Sequence, residues 1–219
     1  MVTVRIWDLP TRLFHWLLAA CVVGLVITGK LGGNAMVWHF RFGQAVLTLV
    51  LFRLVWGLVG GHWSRWSQLA LAPAQVLDYL RGRTAHWAGH NPMGSWSVLL
   101  MLGWLLLQAG TGLVSDDEIA NAGPWSALVS GATVSAATAW HKGLGKLVLL
   151  VLVLVHVAAI VWYRWRKQQA LVPAMLHGDK TLAQAVTPSR DALPQRALAL
   201  VLVLACAAAV RWLVGLGAT

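Results

Sequence analysis

Four histidines lie within or at the ends of long apolar stretches: His15, His39, His141 and His156. An ionisable side chain inside a lipid bilayer is costly and marks a functional position by default. Any one of them is also compatible with a hydrogen-bonded contact between helices. Taken together they sort into two pairs by depth. His15 follows Arg12 by three residues and His156 precedes Arg164 by eight, so both lie toward the basic ends of their stretches. His39 and His141 open their stretches at the opposite side.

Neutral imidazole is a good axial ligand for haem iron. Two imidazoles from different helices can grip a flat macrocycle, and this leaves no open position on the metal, which favours electron transfer over oxygen binding. Two such sites at different depths would form an electron route across a membrane. His141 and His156 are expected on one helix, fifteen residues apart. That spacing is about 22 Å of rise with roughly 60° of angular drift. Ligands so far apart exclude a single tetrahedral zinc site, which needs four ligands close together. A histidine-based proton relay in a transporter stays open as an alternative, although no Asp or Glu falls within a span.

The elements that must position these residues follow from hydropathy. Five spans are expected, at about Leu9 to Gly29, His39 to Gly60, Ser95 to Val114, Trp140 to Tyr163 and Gln195 to Leu216. Each is roughly 20 residues, enough to cross about 30 Å of hydrocarbon. Asp8 can cap the first, and Pro10 is tolerated in a first turn. The fold class expected is all-α integral membrane, with a four-helix haem-binding core plus a fifth C-terminal transmembrane helix in one domain over residues 1–219. Four spans plus a buried tail is a weaker reading, because residues 197–210 are apolar without interruption. Short interfacial helices are expected at Pro73 to Leu80 and Leu171 to Leu176.

Composition agrees. The chain is 58% hydrophobic and 11% charged, against about 25% charged in soluble domains. Its net charge of +10 comes from residues between apolar runs, which argues for membrane orientation and against nucleic acid. Arg5, Arg12, Arg65, Arg81, Arg83, Arg164, Arg166, Lys167, Lys180, Arg190 and Arg196 share one side if there are five spans. Lys30 and the acidic run Asp116-Asp117-Glu118 lie opposite. The positive-inside rule then expects a cytoplasmic N-terminus and a periplasmic C-terminus. Trp38, Trp125 and Trp140 fall near the outer face, and Trp7, Trp63, Trp66, Trp87, Trp96, Trp162 and Trp165 near the inner. The apolar run continues past Leu18-Ala19-Ala20-Cys21, so the first stretch reads as a retained helix and not a cleaved signal. Cys21 and Cys206 read as inert helix residues, and the absence of C-x-x-C-H excludes covalent c-type haem.

Basic side chains near the histidines are candidate partners for haem propionates: Arg41 and Lys142 by the outer pair, Arg12 and Arg53 at the inner depth. Arg53 lies within an apolar run and can alternatively snorkel to the surface. Gly43, Gly143 and Gly145 give either room for a porphyrin or tight helix packing. His62, His86, His90 and His177 read as loop residues. His90, in Gly89-His90-Asn91-Pro92, caps the inner bundle or lines a quinone pocket, with the structural role favoured.

The chain resembles the bacterial cytochrome b561 family, which includes b-type subunits of nickel-iron hydrogenases. The resemblance rests on Val4-Arg5-Ile6-Trp7-Asp8 with Pro10-Thr11-Arg12-Leu13-Phe14-His15-Trp16, and on Trp38-His39-Phe40 with Gly43. It continues in Arg53-Leu54-Val55-Trp56-Gly57, Gly89-His90-Asn91-Pro92, Asp116-Asp117-Glu118-Ile119 with Gly123-Pro124, and His141 with His156-Val157-Ala158. It implies two haem b groups, held by His15 with His156 (inner) and by His39 with His141 (outer). It further implies electron exchange in the bacterial inner membrane between the quinone pool and a periplasmic redox partner such as a cytochrome c. A stand-alone superoxide:quinone oxidoreductase is a second expectation, and a haem-free transporter or membrane anchor a third.

Overall fold

The structure is a computed structural model that describes residues 1–83, 87–117 and 119–217. His86 and Glu118 lie outside the described residues. The elements in chain order are β1 (Val2–Arg5), α1 (Leu9–Leu31), α2 (Met36–Val59), α3 (Pro73–Leu80), α4 (Pro92–Val114), α5 (Gly131–Lys142), α6 (Leu144–Arg166), α7 (Leu171–His177), β2 (Asp179–Leu182) and α8 (Leu193–Gly215). Among the described residues five segments are long and apolar enough to cross a membrane: α1, α2, α4, α5 with α6, and α8. Leu17, Val23, Ile27, Leu154 and Val201 are exposed on them, an outward apolar surface suited to lipid. The protein is an all-α integral membrane protein.

The helix ends have local causes. Asp8 caps α1 by accepting the Thr11 amide at 2.8 Å, and Asn91 caps α4 by accepting the Gly94 amide at 2.8 Å. Ser130 does the same for α5 through Thr133. α7 stops at Gly178, whose φ of 92° is the left-handed conformation that glycine tolerates.

One expectation is corrected. His141 and His156 do not share one unbroken helix starting at Trp140. The helix begins at Gly131 and breaks at Gly143, where φ is −100° and ψ is −112°. His141 ends α5 and His156 belongs to α6, so a rise computed along a single straight helix does not apply.

The chain divides into two compact units, and each long helix contributes to both. The first holds Met1–Phe14, Arg53–Leu100 and Leu154–Leu200; the second holds His15–Phe52, Met101–Val153 and Val201–Thr219.

The first unit contains two strands not foreseen from hydropathy. β1 and β2 pair antiparallel with Arg5 opposite Asp179. The Gly178 carbonyl accepts both the Ile6 and Trp7 amides. Behind them Val4, Ile6, Trp7 and Ala174 form a buried apolar cluster, with Trp63 and Met175 packed against it. Asp191 gathers charge around this clip. Its carboxylate accepts from Arg5 at 2.7 Å, from Arg196 at 3.1 Å and from the Leu9 amide at 3.1 Å. Burial raises the Asp191 pKa, but Arg196, the Leu9 amide and Arg5 together outweigh it and hold the group below the usual carboxylate value.

The second unit anchors α8 by a hydrogen bond from Trp125 Nε1 to the Leu213 carbonyl at 2.8 Å. The Asp117 carboxylate accepts the Ile119, Ala120 and Asn121 amides. The Asn121 side chain and these amides hold its pKa well below the usual range.

Candidate functional site

In the second unit the His39 and His141 rings lie with centroids 6.2 Å apart and planes at 84°. His39 stands in the first turns of α2 and His141 at the end of α5. The Nδ1 of His39 meets the Leu25 carbonyl at 3.1 Å. The Nδ1 of His141 meets the Gln108 carbonyl at 2.9 Å. A carbonyl oxygen can only accept, so each Nδ1 carries the hydrogen. In its neutral form each ring then keeps its Nε2 lone pair for a metal. Gln108 holds His141 twice, since its Nε2 also donates to the His141 carbonyl at 2.8 Å.

The pair suits one metal. With metal–nitrogen bonds of about 2.0–2.1 Å, two imidazoles gripping a metal from opposite sides hold their centroids roughly 6 Å apart. Among the described residues no cluster of three or more His, Cys, Asp and Glu side chains could hold a metal ion. A group that needs only two protein ligands is what this donor set fits, and haem is such a group.

The glycines beside these rings are Gly29 and Gly112. A Cβ at Gly29 would sit 3.1 Å from His39 Cε1, and one at Gly112 would sit 2.9 Å from His141 Cε1. Of the glycines singled out in the sequence, a Cβ at Gly43 would meet nothing, and Gly143 marks the helix break. Gly145 packs against Gln108 and Trp140. The signal that finds the right glycines is the Thr-Gly dipeptide: Thr28-Gly29 and Thr111-Gly112 are the two in the chain.

The basic candidates differ. The Arg41 guanidinium stacks 4.8 Å from the Trp38 ring. Lys142 is exposed at the end of α5, and both it and Lys146 are near enough to His141 to act on it electrostatically. Arg12 is largely engaged, donating to the Leu176 carbonyl at 2.5 Å with Asp191 at 3.8 Å.

Arg53, in the first unit, is 3% exposed. Its guanidinium lies 4.2 Å over the Trp66 ring, which is fixed in turn by its Nε1 donating to the Leu54 carbonyl at 3.0 Å. Gly57 makes that stack possible, because a Cβ there would be 2.0 Å from Trp66. The Arg53 Nη1 is buried without a hydrogen-bond partner. The nearby Asp8 carboxylate faces Arg53 with its charge but has its acceptor positions filled. It accepts from Thr11 N, Trp56 Nε1, Gly61 N and Ser64 Oγ.

His15 begins the second unit on α1 and is half-buried; His156 lies in the first unit on α6 and is half-buried. Their pairing rests on sequence depth. His90 packs against Trp7 at 4.6 Å and His62 against Trp63 at 4.9 Å, while His177 closes α7.

The family profile described as Prokaryotic cytochrome b561 matches residues 6–178. The chain belongs to the prokaryotic cytochrome b561 family. Among its relatives is a probable Ni/Fe-hydrogenase B-type cytochrome subunit of Bradyrhizobium diazoefficiens, 24% identical over 217 residues, covering 81% of this chain and 86% of the relative. A protein of the same description from Cupriavidus necator is 24% identical over 215 residues, covering 80% and 86%. The probable Ni/Fe-hydrogenase 1 B-type cytochrome subunit of Escherichia coli K12 is 24% identical over 135 residues, covering 49% and 56%. No solved structure matches significantly. As a member of this family the chain is a multi-pass membrane electron-transfer cytochrome with haem b as its cofactor.

Proposed function

We propose that the protein is a dihaem cytochrome b of the bacterial inner membrane, moving electrons between the quinone pool and a periplasmic redox partner such as a cytochrome c. His39 with His141 would hold the outer haem and His15 with His156 the inner one. The observation that carries this reading is the His39–His141 pair, two neutral imidazoles 6.2 Å apart with both Nδ1 atoms turned to carbonyls. Haem iron held by these imidazoles would supply one-electron chemistry. The chain's own residues orient the rings, fix their tautomer and leave the Nε2 lone pairs free.

Arg53 supports the inner site. Its buried Nη1 has no hydrogen-bond partner, and the acceptor positions of the nearby Asp8 carboxylate are filled by four donors, which leaves room for a further anionic acceptor at Arg53. A haem propionate has the right charge. Arg12, Arg41 and Lys142 serve as further candidates toward propionates. The distribution of Lys and Arg between loops supports a cytoplasmic N-terminus and a periplasmic C-terminus. The Asp117 loop stays ionised at neutral pH and suits a basic protein partner.

The test is haem stoichiometry of the purified protein by pyridine haemochrome, followed by reduction with a quinol analogue and reoxidation by an added cytochrome c. Two haem b per chain with reduction by quinol support the proposal. Far fewer than two overturns the two-site reading, and two haems that no quinol reduces overturns the quinone assignment.

A further inference from the structure

His39 and His141, both in the second unit, are held by the same local device, built twice. On α1 the sequence Leu25-Val26-Ile27-Thr28-Gly29 faces His39; on α4 the sequence Gln108-Ala109-Gly110-Thr111-Gly112 faces His141. In each, the carbonyl three residues before the threonine accepts from the imidazole Nδ1. The threonine hydroxyl lies within 3.3 Å of His39 Nδ1 in one case and 3.4 Å of His141 Nδ1 in the other. It donates backward along its own helix, Thr28 to the Gly24 carbonyl at 2.7 Å and Thr111 to the Leu107 and Gln108 carbonyls, each at 3.0 Å. Its hydrogen is thereby committed and its lone pairs are left for the ring N–H. The glycine that follows gives the ring its space, since a Cβ would approach Cε1 to 3.1 Å or 2.9 Å.

The spacing has a helical reason. Positions i, i+3 and i+4 lie on one face, so carbonyl, hydroxyl and glycine meet one ring together. Serine would supply the hydroxyl with less rotamer restriction than β-branched threonine. Alanine in place of either glycine would press on the imidazole.

We infer that Thr28-Gly29 and Thr111-Gly112 are a matched pair of imidazole clamps, positioning His39 and His141 and committing both to the Nδ1–H tautomer so that their Nε2 atoms face a shared metal centre alike. Neither threonine nor glycine touches the metal; they are positioning residues. The inference rests on the haem reading above for its functional meaning. A hydrogen bond donated by the far nitrogen of a ligating imidazole raises its basicity. Weakening it makes the ligand a poorer donor to oxidised iron, so the midpoint potential rises.

The test uses the haem-loaded protein and the isosteric variants Thr28→Val and Thr111→Val, with Gly29→Ala and Gly112→Ala beside them. Redox titration should show one midpoint potential shifted upward in both threonine variants, and the same one, with the other haem unmoved. The glycine variants should change the low-spin EPR signal of that same haem. Two haems with unaltered potentials and EPR in all four variants would overturn the clamp, as would threonine variants that act on different haems. If the wild-type protein carries no haem, the haem reading fails, and the clamp is then decided by ¹⁵N NMR of histidine-labelled protein. Nδ1–H signals for His39 and His141 support it, and Nε2–H signals overturn it.

Discussion

The two units solve the same problem, a polar group inside an apolar surrounding, with different materials. In the first, charge is met by charge and by dense hydrogen bonding. Arg5, Arg12 and Arg196 converge on Asp191, and Asp8 accepts four donors while fully buried. All five ion pairs of the structure's described residues lie there. In the second, the His39 and His141 rings are met by backbone carbonyls, hydroxyls and the bare Cα of glycine. The difference suits the tasks. A structural clip gains from strong, redundant contacts. For a ring that would offer a lone pair to a metal, a backbone carbonyl sets the tautomer at small cost.

That contrast can be broken by mutation. The largest effect is expected for Asp8→Ala, which strands four donors at a site of 0% exposure and should cost about 3 kcal/mol or more. Thermal unfolding in detergent would measure it, with the EPR of the outer haem unchanged below the transition. Asp191→Ala should cost on the order of 2 kcal/mol, since hydrogen bonds to charged groups contribute about 1.5–3 and several partners reach solvent. Limited proteolysis should detect it as faster cleavage near residues 177–191. A smaller effect is expected from acid. Asp179 and Asp191 both have folded pKa values below their unfolded ones, the first chiefly through Arg5. Their contribution is therefore complete above about pH 3.9 and lost as pH falls through the folded values. Hydrogen exchange should show β1 and β2 loosening in that range before the α1–α2 region around His39. The smallest effect belongs to Arg83→Ala, whose pair with Asp78 is 64% and 42% exposed and should matter by less than about 0.5 kcal/mol.

The candidate histidines of the second unit were legible in the sequence because lipid makes a histidine conspicuous. His39 and His141 stand out against apolar neighbours, and the structure brings their rings together. What surrounds them was not legible. The decisive acceptors are main-chain carbonyls of Leu25 and Gln108, which carry no residue signature. The relevant glycines sit on other helices from the histidines, so a search along each histidine's own helix reached Gly43 and Gly143 instead. The break at Gly143 was hidden for a related reason, since hydropathy averages over a kink and glycine in a membrane helix also signals packing. The β1–β2 clip escaped because four-residue strands joined across 174 positions leave no periodic trace. Asp8, by contrast, was readable as a cap from its place before a proline and an apolar run, whereas the Asn91 cap that starts α4 at Pro92 was not foreseen, the span being expected from Ser95.

The most direct measurement is haem content by pyridine haemochrome in His39→Ala, His141→Ala and the double variant, each with His15→Ala for comparison. If His39 and His141 share one haem, each single variant and the double variant retain one haem of two, with the same potential surviving in all three. His15→Ala then retains the other one. A double variant left with no haem, or single variants that spare different haems, would contradict the shared outer site.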